Sequence, residues 1–244
     1  MQRKFSVVLT AVLAVVLGTA CAPAAPEGAE SVVVIHGLGR TPISMSVLEH
    51  RLAAAGYRVV RFGYPSTKQP FEALVQRLDS AITECCGAQR DSVHFVTHSM
   101  GGVLVRGYLA DRPAPHRGRV VMLSPPNQGS EIIDFLGNWP RLQRLVGPAG
   151  SALGTDSAAV ANRLGPVNFS LGIITGDRSL NPIGSWIIPG PDDGKVSVER
   201  ARAEGATDFL VLPATHTFIM NREDVAAQTI HFLRTGRFQE NAGS

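Results

Sequence analysis

The chain has 244 residues, 44% hydrophobic and 18% charged, which suffices for one full core in a single domain and excludes global disorder. Its net charge of +3 comes from Lys and Arg scattered without any block of like charge, so nothing argues for nucleic acid. The three cysteines, Cys21, Cys85 and Cys86, form no C-x-x-C pair and no Cys/His cluster at zinc spacing, so neither a metal nor a cofactor is expected.

The first residues read as an address. Gln2, Arg3 and Lys4 make a positive start, Phe5 to Leu17 is an apolar run too short for a comfortable membrane span, and Gly18, Thr19 and Ala20 precede Cys21. This is the layout of a signal peptide over residues 1–20, and Cys21 stands where a bacterial lipoprotein carries its acylated cysteine. The usual pattern has Leu three places before that cysteine, where this chain has Gly18; cleavage after Ala22-Pro23-Ala24 without a lipid is the alternative. Residues 21–30, rich in Ala, Pro, Glu and Gly, read as a flexible tether, which leaves residues 31–244 as the folded domain. The expected location is extracytoplasmic and bacterial, either secreted or anchored to the membrane through a lipidated Cys21.

The continuous β-branched run from Ser31 to Ile35 predicts a strand buried on both faces. Ser44 to Ala55 predicts a helix stopped by Gly56, Tyr57 to Phe62 a second strand, and Phe71 to Ile82 a helix with one apolar stripe. The adjacent Cys85 and Cys86 could bond only by closing a strained ring, so two free thiols are expected, with a vicinal disulfide as the alternative in an oxidising compartment. Ser92 to Thr97 predicts a third strand running directly into a helix over Ser99 to Leu109, and Arg119 to Leu123 a fourth strand. Residues 125–168 are irregular, with Gly and Pro among short helical pieces, and are expected to cap the site. Phe169 to Thr175 and Phe209 to Leu212 predict two further strands, and Met220 to Leu233 a closing helix. Strands alternating with helices imply a mainly parallel sheet of about six strands with helices on both faces.

The segment Thr97-His98-Ser99-Met100-Gly101-Gly102 joins the third strand to its helix. That is a nucleophile elbow, G-x-S-x-G, with Thr97 in place of the first glycine. Small residues are needed because the chain reverses sharply around the serine, and Gly101 lets the helix pack close to the strand. Thr97 is tolerable if its neighbours leave room for a branched side chain. A serine hydroxyl is a weak nucleophile at neutral pH and needs a base, which in turn needs an orienting acid; the chain order for such an elbow is Ser, acid, His. His216 follows the last strand and opens the loop before the closing helix, where it can reach back over the sheet edge. His116 comes too early, and His231 lies within the closing helix. Asp193 is the preferred acid, because its Asp-Gly-x-Val loop aims a carboxylate at position 216; Asp177, which can pair with Arg178, and Asp192, expected to face water, are the alternatives. His36-Gly37-Leu38-Gly39-Arg40 follows the first strand, so the backbone N–H groups of Leu38 and Met100 are the expected oxyanion hole. His36 is expected to bond backbone, His98 to serve as wall, and His50 and His94 to be structural or exposed.

These motifs, with Pro125-Pro126-Asn127-Gln128-Gly129-Ser130, Pro189 to Val198 and Thr215-His216-Thr217, resemble bacterial α/β-hydrolases of the triacylglycerol-lipase-like, PGAP1-like esterase group. The resemblance runs from about residue 31 to 238. It implies an α/β-hydrolase fold and carboxyl-ester hydrolysis by Ser99, Asp193 and His216, and its acid maps onto Asp193. Departures are Thr97 and Asp192, where Asn is more usual. The expected substrate is a small-molecule or lipid ester, with Leu38, Met100, Pro125, Pro126, Ile132, Phe135 and Leu136 as candidate pocket residues. Activity is expected to rise with pH through the histidine range. An acyltransferase or thioesterase with the same triad, or a non-catalytic binding lipoprotein on the same fold, is the alternative.

Overall fold

Runs of β-branched residues with no polar alternation can be buried only if both sheet faces are covered, and the molecule is built that way. The computed structural model describes residues 28–87, 92–110, 112, 116 and 118–240. The expected signal peptide, Cys21 and most of the expected tether lie outside the described residues. Six strands form one parallel sheet: β1 (Ser31–Ile35), β2 (Arg58–Phe62), β3 (His94–His98), β4 (Val120–Leu123), β5 (Leu171–Gly176) and β6 (Asp208–Leu212), in spatial order β2-β1-β3-β4-β5-β6. The inner strands β1, β3, β4 and β5 are buried along their whole length, whereas the edge strands β2 and β6 are half-buried.

Each pair of strands is joined through helices, and side chains alternate between the two covers. Val33, Ile35, Phe95, Met122 and Ile173 pack with α2 (Phe71–Cys86) and α3 (Met100–Ala110). Val32, Val34, Val96, Val121 and Ile174 pack with α1 (Ser46–Ala54) and α8 (Glu223–Thr235). The chain enters α1 and α8 through 3₁₀ turns at Pro42–Met45 and Ile219–Asn221, so the closing helix starts a turn later than its apolar pattern suggests. At the end of α2, Cys85 and Cys86 are paired as a vicinal disulfide where two free thiols were expected.

The stretch after β4 is more helical than its glycines and prolines imply. It holds α4 (Glu131–Gly137), α5 (Pro140–Ser151), which breaks at Gly147 ahead of Pro148, and α6 (Val160–Arg163). A further short helix, α7 (Pro182–Ile187), was not expected; Asn181 caps it by accepting a hydrogen bond from the Gly184 N–H. Among the described residues no helix is long and apolar enough to cross a membrane.

The strand order reverses direction between β1 and β3. In an open parallel sheet the crevice at such a switch point, beyond the carboxyl ends of the strands, is where ligands bind. The loops that leave β1 and β3 carry Leu38 and Ser99.

Candidate active site

β3 ends at His98 and α3 begins at Met100, so Ser99 alone turns the chain. It does so with φ of 53°, in the left-handed region that a non-glycine residue occupies at a cost of order 1–3 kcal/mol. Two hydrogen bonds hold it there: its N–H donates to Leu123 O at 2.9 Å, and its carbonyl accepts from the Gly102 N–H at 2.9 Å. Thr97 is fully buried two residues earlier, paired in register with Ile35 and Met122. A side chain at Gly37 would stand 2.8 Å from His98 Nδ1 and 2.9 Å from Ser99 Cβ, so only glycine lets the β1 loop close over the elbow.

Asp193 and His216 meet at the same edge. The Asp193 Oδ2 accepts from His216 Nδ1 at 2.9 Å, and its Oδ1 accepts from the N–H groups of Lys195 (3.0 Å) and Val196 (2.9 Å). The main chains are locked together as well, because His216 N–H donates to Asp193 O at 2.9 Å. Gly176, the last residue of β5, makes this possible: a Cβ there would lie 2.0 Å from Ala214 O and 3.2 Å from Asp193 Cβ. Burial alone would push the Asp193 carboxyl up. The adjacent His216, as charge and as donor, and the Val196 N–H outweigh it and hold the group below the ordinary carboxylate range.

His36 bonds backbone, as its place after β1 suggests. Its Nδ1–H donates to Gly37 O at 2.9 Å, its ring stacks on Tyr64 at 4.3 Å, and its carbonyl accepts from the Tyr64 hydroxyl at 2.7 Å. Burial lowers its pKa, so the ring is neutral and acts as a brace for the loop that carries Leu38. The Gly39 N–H is held by Ser66 Oγ at 3.0 Å.

His98 does more than form a wall. Its Nε2–H donates to the carbonyl of His216 at 2.9 Å, and the two rings lie 4.8 Å apart. Burial first, then the nearby His216 and Arg40, push its pKa well below the usual range, so it stays neutral and remains a donor through Nε2. His216 is therefore tied at its N–H, its ring and its carbonyl.

The other candidates fall elsewhere. Asp192 is buried rather than facing water: its Oδ1 accepts from Ser185 Oγ at 2.9 Å and from the Gly194 N–H at 2.6 Å, closing the loop as an Asx turn. Asp177 pairs with Arg178 at 3.6 Å. His50 is exposed, and His94 is buried with Nδ1 accepting from the Arg119 N–H at 2.9 Å.

A cavity of about 180 Å³ opens over Ser99 and His216. Leu38, Pro126, Ile132, Ile133, Leu136, Val146, Leu153 and Val196 give it an apolar wall, largely from α4 and α5, and Arg40, Lys195, His98 and Ser130 its polar part. Of the expected pocket residues, Met100 is instead fully buried in the core, Pro125 is buried outside the cavity lining, and Phe135 faces solvent. Among the described residues no cluster could hold a metal ion. Sequence reasoning missed His98 because its partner carbonyl lies 118 residues away. Arg40 and Lys195 were within reach of it, since each adjoins a motif already singled out.

The model of the alpha/beta hydrolase family matches residues 32–228. Among curated proteins none matches the sequence. Solved structures with the same fold include the mature form of the Bacillus licheniformis lipase BlEst2, at TM-score 0.68 and 18% identity, covering 88% of this chain and 95% of that one. Phospholipase PlaB from Legionella pneumophila aligns at TM-score 0.64 and 18% identity, over 86% of this chain and 57% of its own. A monoacylglycerol lipase from Paleococcus ferrophilus aligns at TM-score 0.58 and 19% identity, over 84% of this chain and 94% of its own. At these identities the likeness extends to the fold alone.

Proposed function

As the chain belongs to the alpha/beta hydrolase family, we propose that it is a serine carboxyl-ester hydrolase, an esterase or lipase of the triacylglycerol-lipase-like kind, acting on lipid esters. The observation that carries this reading is the 2.9 Å bond from His216 Nδ1 to Asp193 Oδ2 beside a cavity that also takes in the left-handed Ser99. In this mechanism His216 Nε2 takes the Ser99 proton as the hydroxyl attacks the ester carbonyl. Asp193 holds the imidazole with Nδ1 protonated and stabilises the imidazolium that forms. The N–H groups of Leu38 and Met100 bind the oxyanion, aided by the N-terminal end of α3, and one such donor is worth about 3 kcal/mol in the transition state. The alcohol leaves with the proton from His216, and water cleaves the acyl-enzyme.

The apolar cavity wall and the exposed Trp139, Leu145 and Trp186 of the cap, 57%, 71% and 85% accessible, support a lipid ester over a polar one. The solved lipases and phospholipase of the same fold are consistent with it. A fluorophosphonate probe should label the folded protein, and Ser99→Ala should abolish labelling and lower kcat about 10⁶-fold. A folded wild type that neither labels nor turns over p-nitrophenyl esters refutes the proposal. On the same reading the leader carries the chain out of the cytoplasm and Cys21 is acylated. Incorporation of radiolabelled fatty acid that vanishes in Cys21→Ala is the expected result.

A further inference from the structure

The polar end of the cavity is positive. Arg40 and Lys195 line it beside Ser99 and His216, and no acidic side chain does. Among the described residues neither cation has an ion-pair partner. The nearest carboxylate by function, Asp193, is already engaged by His216 and two backbone N–H groups. Arg40 is half-buried, and the one side-chain hydrogen bond it makes among the described residues runs from Nη2 to Thr217 O at 2.9 Å. Lys195 is exposed at the mouth. Two cations sharing one partly apolar cavity repel each other and have lost part of their hydration. Burial lowers the Arg40 pKa, and the protein packed about the stem of the surface-reaching Lys195, then the like charge of Arg40, lower that of Lys195 against the opposing pull of Asp193. An arrangement that costs free energy when empty is relieved by a bound anion.

The two ends of the cavity are also sorted. Most of the apolar wall comes from the cap, through Ile132, Ile133, Leu136, Val146 and Leu153, with Leu38, Pro126 and Val196 completing it. The cations lie on the histidine side: Lys195 is two residues after Asp193, and Arg40 bonds the carbonyl of Thr217, next to His216. In ester hydrolysis the departing alcohol takes its proton from the histidine, so that side receives the alcohol and the cap receives the acyl chain. We propose that Arg40 and Lys195 form an anion subsite for a phosphate carried on the alcohol portion, so that the substrate is a fatty acyl ester of a phosphorylated alcohol, as in a lysophospholipid. This rests on the hydrolase reading given above.

The test compares kcat/KM for 1-acylglycerol and 1-acylglycerol-3-phosphate of equal chain length, both below the concentration at which they aggregate. Wild type should prefer the phosphate ester by at least about tenfold, equivalent to about 1.4 kcal/mol. In Lys195→Gln and in Arg40→Gln the preference ratio should fall towards one, while Lys195→Arg should keep it. Lys195 is exposed, so its variants keep the result readable if Arg40→Gln fails to fold. A half-ester of a long dicarboxylic acid, with its charge on the acyl side, should gain nothing. Equal rates on the matched pair, a preference that survives both Gln substitutions, or an equal preference for the acyl-side anion would overturn the subsite. Fluorophosphonate labelling of Ser99 in the same samples separates these results from failure of the hydrolase reading, in which neither labelling nor turnover is seen.

Discussion

The sheet edge and the cap are held in different ways. At the edge, buried polar groups are cross-tied: His216 is bonded to Asp193 through both main chain and side chain and to His98 through its carbonyl. In the cap, α4 has no buried residue, α5 breaks at Gly147, and Trp139, Leu145, Ile183 and Trp186 stand in solvent. An over-determined frame can hold reacting groups to the sub-ångström tolerance that chemistry needs. A helix that buries no residue, as α4 does, opens at lower cost than the sheet edge and suits reception of a variable acyl chain. The comparison predicts that edge substitutions change rate at fixed substrate, and that cap substitutions change which substrates are used.

The largest effect expected at the edge, apart from loss of Ser99 or His216, is that of Asp193→Asn. The amide presents the wrong partner to His216 Nδ1 and should lower kcat about 10⁴-fold with the fold intact, by analogy with triad enzymes generally. Asp177→Asn removes only a surface ion pair and should stay within about twofold. Circular dichroism and p-nitrophenyl butyrate turnover on both variants check this, and the reverse ranking would move the orienting acid away from position 193.

Next comes His98, a positioning residue rather than one that touches substrate. His98→Phe keeps the bulk but removes the donor to His216 O, and kcat should fall about 10- to 100-fold, as when a supporting partner of a catalytic group is lost, with KM little changed. His98→Gln can donate from its amide and should restore much of the rate. Rescue by Gln separates positioning from packing; a loss in kcat that Gln does not repair would make His98 merely a filler.

The same cross-ties set an acid limit. Burial holds His36, His94 and His98 below the ordinary histidine value of about 6.5. Between that value and their lowered folded values, the unfolded chain binds more protons than the folded one. Stability therefore rises with pH in that window and is lost as pH falls below about 6.5, by up to about 1.4 kcal/mol per pH unit for each histidine. The cap, residues 131–163 with α7, carries no histidine. Urea midpoints measured from pH 7 to 5 should fall accordingly, and His98→Phe should flatten the slope. An unchanged slope would mean that this ring is protonated in the folded state.

How much of this could be read in advance follows the same division. The inner strands were legible because burial on both faces leaves an unbroken β-branched run such as Ser31 to Ile35. The meeting of 193 with 216 was legible because a Ser-acid-His order and a separation of 23 residues constrain the path of the chain. Contacts that no local motif announces were not, as His98 and Asp192 show: nothing in a neighbouring residue says that a carbonyl 118 positions on, or the Ser185 hydroxyl seven positions back, will be its partner. The cap was legible only as an interruption, since α4 buries no residue and the short stripe of α5, Val146, Ala149 and Gly150, straddles the break at Gly147. Cys85 and Cys86 were expected as free thiols, and at the end of α2 they are paired instead.

The smallest effect, and the sharpest test of the comparison, belongs to the cap surface. Trp139 and Trp186 are exposed and line no part of the cavity, so Trp139→Ser with Trp186→Ser should change stability by no more than about 0.5 kcal/mol. Hydrolysis of a short soluble ester should stay within about twofold, because the edge is untouched. Two large apolar side chains held in water lose that exposure when the cap meets an aggregated lipid, and each is worth about 1.5–3 kcal/mol if fully covered. Partial covering of both should make turnover of a long-chain ester in mixed micelles fall about three- to tenfold. If the two substrates fall together, the cap is coupled to the catalytic edge and the two regions are one mechanical unit. If neither falls, the exposed tryptophans have no part in meeting the lipid.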